Sequence, residues 1–206
     1  MLDPWVRRLV DPPLAALARR FAAAGVGADT VTWCGFGVGL AAAAAISFGA
    51  YSLGAMLFAA NRLLDGLDGA IARQRGSTDR GGFLDIVLDF LVYASVPLAF
   101  ALADPDRNAL PAAVLLFTFV GTATSFLAYA VFAAKRGLST ELRGRKSLYY
   151  LGGLTEGTET ALVFLAMALL PGWFPWLAWA FAAACALTIA TRIHAGAVSF
   201  ADRERP

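Results

Sequence analysis

Apolar residues in this chain come in long, nearly unbroken runs. They show neither the alternation of a half-buried strand nor the one-sided stripe of a soluble helix. A run of about 20 mostly apolar residues is the length that crosses a bilayer as a helix. Six stretches fit: 32–50, 53–73, 82–102, 110–134, 149–170 and 173–192. Proline and glycine mark the joints, at Asp104-Pro105-Asp106 and at Pro171-Gly172. Joints this short predict antiparallel neighbours. Ahead of the first run, Trp5, Leu9, Leu14, Leu17 and Phe21 alternate with the pairs Arg7-Arg8 and Arg19-Arg20. That pattern predicts a helix lying along the membrane surface, broken at Pro12-Pro13. A basic leader that only sets topology is the alternative. The expected fold is all-α: a polytopic membrane protein of six transmembrane helices plus an N-terminal interfacial helix. Residues 1–31 form the juxtamembrane segment and 32–206 the helical domain.

Composition agrees. Of 206 residues, 59% are apolar and 16% charged, against roughly 25% charged in soluble domains. Mean hydropathy is +0.64. These values exclude a disordered chain and most soluble enzymes. A net charge of +2 leaves no basic surface for nucleic acid. Cys34 and Cys185 both lie in apolar runs, with no disulfide or metal-type spacing.

Charge placement sets orientation. Fifteen of the 17 Lys and Arg residues fall in the N-terminal stretch, the second and fourth joints and the C-terminus. Arg62 lies inside the second run, and Arg107 alone falls on the opposite side. By the positive-inside rule both termini face the cytoplasm of a bacterial-type inner membrane. Residues 1–21 lack an apolar core, so no cleavable signal peptide is expected. Tyr149, Tyr150, Trp173, Trp176 and Trp179 read as interface anchors.

The chemistry concentrates in LLDGLDGAIARQRGSTDRGGFLDIVLDF, residues 63–90. Asp65, Asp68, Asp85 and Asp89 stand at or near membrane depth. A charged side chain at a helix centre costs roughly 2.5–3.5 kcal/mol, so four unmatched carboxylates would cost on the order of 10 kcal/mol. Asp65 and Asp68 share a helix face at i, i+3; Asp85 and Asp89 share one at i, i+4. The short polar joint lets the pairs converge across a hairpin near its cytoplasmic end. Four carboxylates with no His or Cys make an all-oxygen site that suits Mg²⁺ or Mn²⁺. Gly66, Gly69, Gly81 and Gly82 permit close approach of a substrate or helix, and Arg73 stands where it can pair with a phosphate. The plain alternative is that the aspartates pair with Arg62, Arg73, Arg75 and Arg80.

These residues resemble the signature of the CDP-alcohol phosphotransferases (CDP-alcohol phosphatidyltransferases): D-x-x-D-G-x-x-A-R, seven or eight residues, then G-x-x-x-D-x-x-x-D. Asp65, Asp68, Gly69, Ala72 and Arg73 fill the first half; after seven residues Gly81, Asp85 and Asp89 fill the second. The length also matches. Residues 146–160, KSLYYLGGLTEGTET, resemble a bacterial inner-membrane branch of the family.

The resemblance implies transfer of a substituted phosphate from a CDP-linked donor, such as CDP-diacylglycerol, to an alcohol, with release of CMP. It implies that Asp65, Asp68 and Asp85 hold one or two divalent metals, with Asp89 a shared ligand and the general base. It implies that Gly69, Ala72, Arg73 and Gly81 contact the nucleotide or its phosphates, and that the enzyme is a homodimer. One departure stands out. Many members carry T-P-N-x-x-T before the first span, where this chain has Ala28, Asp29 and Thr32. Asp29 and Thr32 remain nucleotide candidates; Asp29 as a helix cap is the alternative.

For the acceptor, Arg192 and the basic residues 135–146, including Lys146, suit a phosphate-bearing alcohol. Glu156 and Glu159, i, i+3 in the fifth run beside Thr155 and Thr158, suit a polyhydroxyl or cationic one. A structural network with Arg192 or Lys146 is the alternative. His194, the lone histidine, reads as interfacial. Two rival functions use the same aspartates. One is a membrane prenyltransferase, though the chain is short for it. The other is a divalent-cation transporter, though no inverted repeat is visible.

Overall fold

The computed structural model describes residues 3–137 and 155–201. Among them are seven helices and no strand: α1 (Asp3–Ala23), α2 (Ala28–Ser47), α3 (Tyr51–Arg75), α4 (Asp79–Ala103), α5 (Pro105–Lys135), α6 (Gly157–Leu169) and α7 (Phe174–Phe200). A single 3-10 turn, Pro171–Trp173, joins the last two. The chain is an all-helical, polytopic membrane protein.

Among the described residues, four helices are long and apolar enough to cross a membrane: α2, α4, α5 and α7 with its leading turn. The predicted second span is α3, equally long at 25 residues, but Arg62, Asp65 and Asp68 interrupt its apolar run. The predicted fifth span is described only as α6, 13 residues long. Its first part, with Tyr149 and Tyr150, lies outside the described residues, as does Lys146.

Local chemistry explains several boundaries. α5 starts five residues before the expected run, because Asp104 caps it by accepting from the Arg107 N–H at 3.3 Å and Pro105 takes the first-turn position. Thr78 caps α4 through the Gly81 N–H at 3.0 Å. α1 runs through Pro12-Pro13 without the expected break. The two prolines forfeit helix donors, but their fixed φ is itself helical. α7 continues eight residues past Arg192, to Phe200. Arg192 therefore sits within a helix and not at its end.

α2 packs along α3 and α4, α5 along α7 and α4, α6 against α3, and α1 against α3. The core is aromatic. Phe100 stacks on Phe174 with centroids 4.3 Å apart, and Phe58 meets Phe164 at 5.7 Å. A smaller cluster of Ala18, Val31, Leu67, Ala70 and Ile71 joins α1 to α2 and α3. Large apolar side chains such as Phe48, Phe117, Val131 and Trp176 are exposed on the outer surface, which is the face a bilayer covers. Trp173, Trp176 and Trp179 are exposed too.

α2 and α4 pack tightly at Gly39, where a Cβ would stand 2.6 Å from a methyl of Val92. Valine is stiff at χ1 and cannot swing aside. Gly39→Ala is expected to destabilise by about 1–3 kcal/mol, the range for overpacking. Gly37→Ala, which meets nothing within 4 Å, is expected to be near neutral. Thermal unfolding in detergent distinguishes the two.

Candidate active site at the α3–α4 hairpin

α3 and α4 run back to back through a short joint in which Gly76 adopts φ +99°, a left-handed backbone that favours glycine. The hairpin brings the two aspartate pairs together. One carboxylate oxygen each from Asp65, Asp68 and Asp85 lies within 4.8 Å of the others. Asp68 is buried, Asp65 half-buried and Asp85 exposed. Thr32, Gly35, Asn61, Arg62, Asp89 and Val92 help line the cradle around them. Its free space is about 10 Å³, the room of one water or ion. Three oxygen donors around so small a space fit a hard divalent cation.

Asp89 is held differently. Its Oδ1 lies 2.6 Å from Nη2 of Arg62, while Nη1 of Arg62 reaches Asp65 at 3.7 Å. Of the four arginines weighed as aspartate partners, Arg62 pairs with two of the four. Arg80 pairs instead with Asp29 at 3.5 Å, near the surface. Arg75 donates to the Ala22 carbonyl and so ties α3 to α1. Arg73 is exposed at the last turn of α3.

The other expected nucleotide contacts stand on α2, α3 and α4. Asp29 lies in the first turn of α2 and is not its cap, since Gly27 holds that place. A carboxylate there is still favoured by the helix dipole. Asp29 also reaches α4: a Cβ on Gly81 would stand 3.4 Å from its Oδ1. Thr32 lines the aspartate cradle. A Cβ on Gly69 would stand 3.3 Å from Nη1 of Arg73. Ala72, one residue before Arg73, is half-buried.

Next to the aspartates opens a second cavity of about 300 Å³. Asp85 and Asp89 form one wall; Tyr93, Phe119, Thr122, Thr155, Glu156, Thr160, Cys185 and Arg192 supply most of the rest. Arg192 is buried and donates to the Thr122 carbonyl at 3.1 Å. Glu156 and Glu159 do not lie deep in a span as expected. Glu156 is the N-cap residue of α6 and Glu159 falls in its first turn, where the helix dipole favours a carboxylate. Glu156 faces the cavity and Glu159 is not among its lining residues. His194 is exposed.

Asn61 and Tyr93 carry weight that the sequence reading missed. Asn61 is buried, donates to the Gly35 carbonyl at 2.9 Å and accepts from Arg62 at 2.8 and 2.6 Å. The Tyr93 hydroxyl accepts from Arg62 at 2.8 Å. The available signals were a polar pair, Asn61-Arg62, inside an apolar run and a tyrosine one turn past Asp89. Asn61→Ala is expected to destabilise by about 1–3 kcal/mol, since a half-buried guanidinium loses its acceptor. Arg80→Ala, which breaks an exposed pair, is expected to change stability by less than about 0.5 kcal/mol. Chemical unfolding of both variants provides the comparison.

Comparison with known proteins agrees with this geometry. Over its full length the chain is 47% identical to the inner membrane protein YnjF of Escherichia coli, with all of both chains covered. An archaetidylinositol phosphate synthase of Methanothermobacter thermautotrophicus is 45% identical over 89 residues, 43% of this chain and 42% of that one. The phosphatidylinositol phosphate synthase PgsA1 of Mycobacterium tuberculosis, solved with CDP-DAG bound, superposes with a TM-score of 0.73 at 25% identity, covering 94% of this chain and 98% of that one. The same enzyme has been solved with manganese and citrate. The profile of the CDP-alcohol phosphatidyltransferase domain matches residues 27–190, most of the chain and all four aspartates, and the chain belongs to that family of membrane transferases.

Proposed function

We propose that the protein transfers a phosphatidyl group from CDP-diacylglycerol to the hydroxyl of a small alcohol and releases CMP. The observation that carries this reading is the placement of Asp89. It borders the three-carboxylate cradle on one side and the 300 Å³ cavity on the other. In this reading Asp65, Asp68 and Asp85 hold Mg²⁺ or Mn²⁺. That cation, when bound, neutralises charge on the donor's pyrophosphate. Arg73, Gly69, Ala72 and Gly81, with Asp29 and Thr32, receive the nucleotide and its phosphates.

Asp89 takes the proton from the acceptor hydroxyl. The hydroxyl oxygen then attacks the phosphatidyl phosphorus, and the bond from that phosphorus to the oxygen of CMP breaks. Asp89 keeps the base role and, through the oxygen that Arg62 does not engage, serves as a shared metal ligand. Glu156, Arg192 and the Thr155 and Thr160 hydroxyls, with Glu159 and Lys146 nearby in sequence, select the acceptor. The mycobacterial enzyme's bound CDP-DAG supports the donor class. The distribution of basic residues supports a site open to the cytoplasm, and the family resemblance supports a homodimer. A prenyltransferase or a cation transporter would also need the aspartates, but the family match favours neither.

The test is CMP release by purified protein in detergent, with CDP-diacylglycerol and a panel of glycerol 3-phosphate, inositol, inositol phosphate, serine and glycerol. Release is expected with one acceptor and is expected to stop on adding EDTA. Asp89→Asn is expected to lower turnover by about 100- to 10,000-fold, the span for losing a positioned base. Asp85→Asn is expected to raise the Mn²⁺ concentration needed for half-maximal rate. Full turnover in Asp89→Asn would remove the proposed base.

A further inference from the structure

Three threonines line the 300 Å³ cavity beside the aspartates: Thr122, Thr155 and Thr160. A threonine hydroxyl has one proton to donate and two lone pairs. Each of the three gives its proton to the protein. Thr122 donates to the Phe119 carbonyl at 3.0 Å, and Thr160 to the Glu156 carbonyl at 2.9 Å. Thr155 donates to the Thr188 hydroxyl at 3.1 Å, whose own proton goes to the Ala184 carbonyl at 3.1 Å. These three oxygens keep only lone pairs for a ligand.

The charged groups add to this bias. Asp85, Asp89 and Glu156 bring carboxylates to the wall, and ionised carboxylates only accept. Arg192 is the single cation among the described lining residues. It already donates to the Thr122 carbonyl at 3.1 Å, and its guanidinium carbon lies 5.6 Å from the centre of the Phe126 ring. The start of α6, a place that favours a phosphate in other helices, holds the chain's own Glu156 and Glu159. A phosphorylated alcohol would bring acceptors to a wall of acceptors and negative charge to three carboxylates. An amino alcohol would bring donors, but its ammonium cannot accept from Arg192. A hydroxyl both donates and accepts.

We propose that the acceptor is a polyhydroxy alcohol without a phosphate group, of the class of glycerol or inositol. Its hydroxyls donate to the threonine oxygens and to Glu156, accept from Arg192, and leave one hydroxyl for Asp89. The proposal rests on the reading of this cavity as the acceptor's place and narrows that reading to one class of alcohol.

The experiment uses the full chain in detergent, purified without glycerol. CMP release is measured with CDP-diacylglycerol, Mn²⁺ and one of glycerol, inositol, glycerol 3-phosphate, inositol phosphate or serine. For glycerol or inositol, kcat/KM is expected to exceed that for its own phosphate ester by at least about tenfold. Thr160→Val removes the oxygen and keeps the shape. It is expected to raise the KM for the polyol about three- to tenfold, the loss of one hydrogen bond, while the KM for CDP-diacylglycerol holds within about twofold. Glu156→Gln, which replaces an acceptor oxygen by a donor, is expected to narrow the gap between the polyol and its phosphate. It also serves if Thr160→Val does not fold. Saturation-transfer NMR of inositol and glycerol, with no donor present, reads the cavity without the chemistry.

A phosphorylated acceptor or serine used faster than either polyol would overturn the proposal. So would a polyol KM left within twofold of wild type in Thr160→Val together with an unchanged preference in Glu156→Gln. If no acceptor yields CMP, the transfer reading fails and binding decides the rest. Polyol binding that weakens in Thr160→Val then sustains the selectivity of the cavity, and absence of polyol binding overturns it.

Discussion

Asp65, Asp68, Asp85 and Asp89 stand in a bundle whose outer face is apolar, and ionised carboxylates there must be matched by positive charge or water. The structure meets that demand in two ways. Arg62 answers Asp89 and reaches Asp65 from within the bundle. The remaining oxygens of Asp65, Asp68 and Asp85 face one another across a space that suits a cation. Everything around the hairpin serves this arrangement. Asn61 and Tyr93 fix the arginine, α2 comes close enough at Gly39 to brace α4, and the aromatic core keeps α4, α6 and α7 in register behind them.

The remaining helices give the hairpin its surroundings. α1 docks on α3 through Ala18 and Leu14, whose Cδ1 would stand 2.8 Å from a Cβ on Gly66. α5, α6 and α7 contribute the far walls of the cavity. Their polar groups are anchored to backbone or to one another: Arg192 to Thr122, Thr155 to Thr188 at 3.1 Å, Thr160 to the Glu156 carbonyl at 2.9 Å.

Much of this was legible in the sequence because the determining signals are local. Apolar runs locate α2 to α5 to within five residues at each end, and the spacings 65/68 and 85/89 put each aspartate pair on one helix face. What was not legible depends on partners far apart in the chain. Tyr93 meets Arg62 across 31 positions, and Arg192 meets Thr122 across 70. Neither distance has a periodic signature. The misplacement of Glu156 and Glu159 has a different origin. An apolar run shows where a helix is stable, but its first residue depends on capping, and here the cap is itself the glutamate. Reading α7 as ending at Arg192 failed for a similar reason, since a buried arginine looks from sequence like a terminal one.

Asp85 and Asp89 border both the cradle and the cavity, so the two compartments share two carboxylates. Whatever occupies one side changes the charge and hydration felt on the other. Occupancy of the two compartments is thereby coupled without any hinge or domain motion.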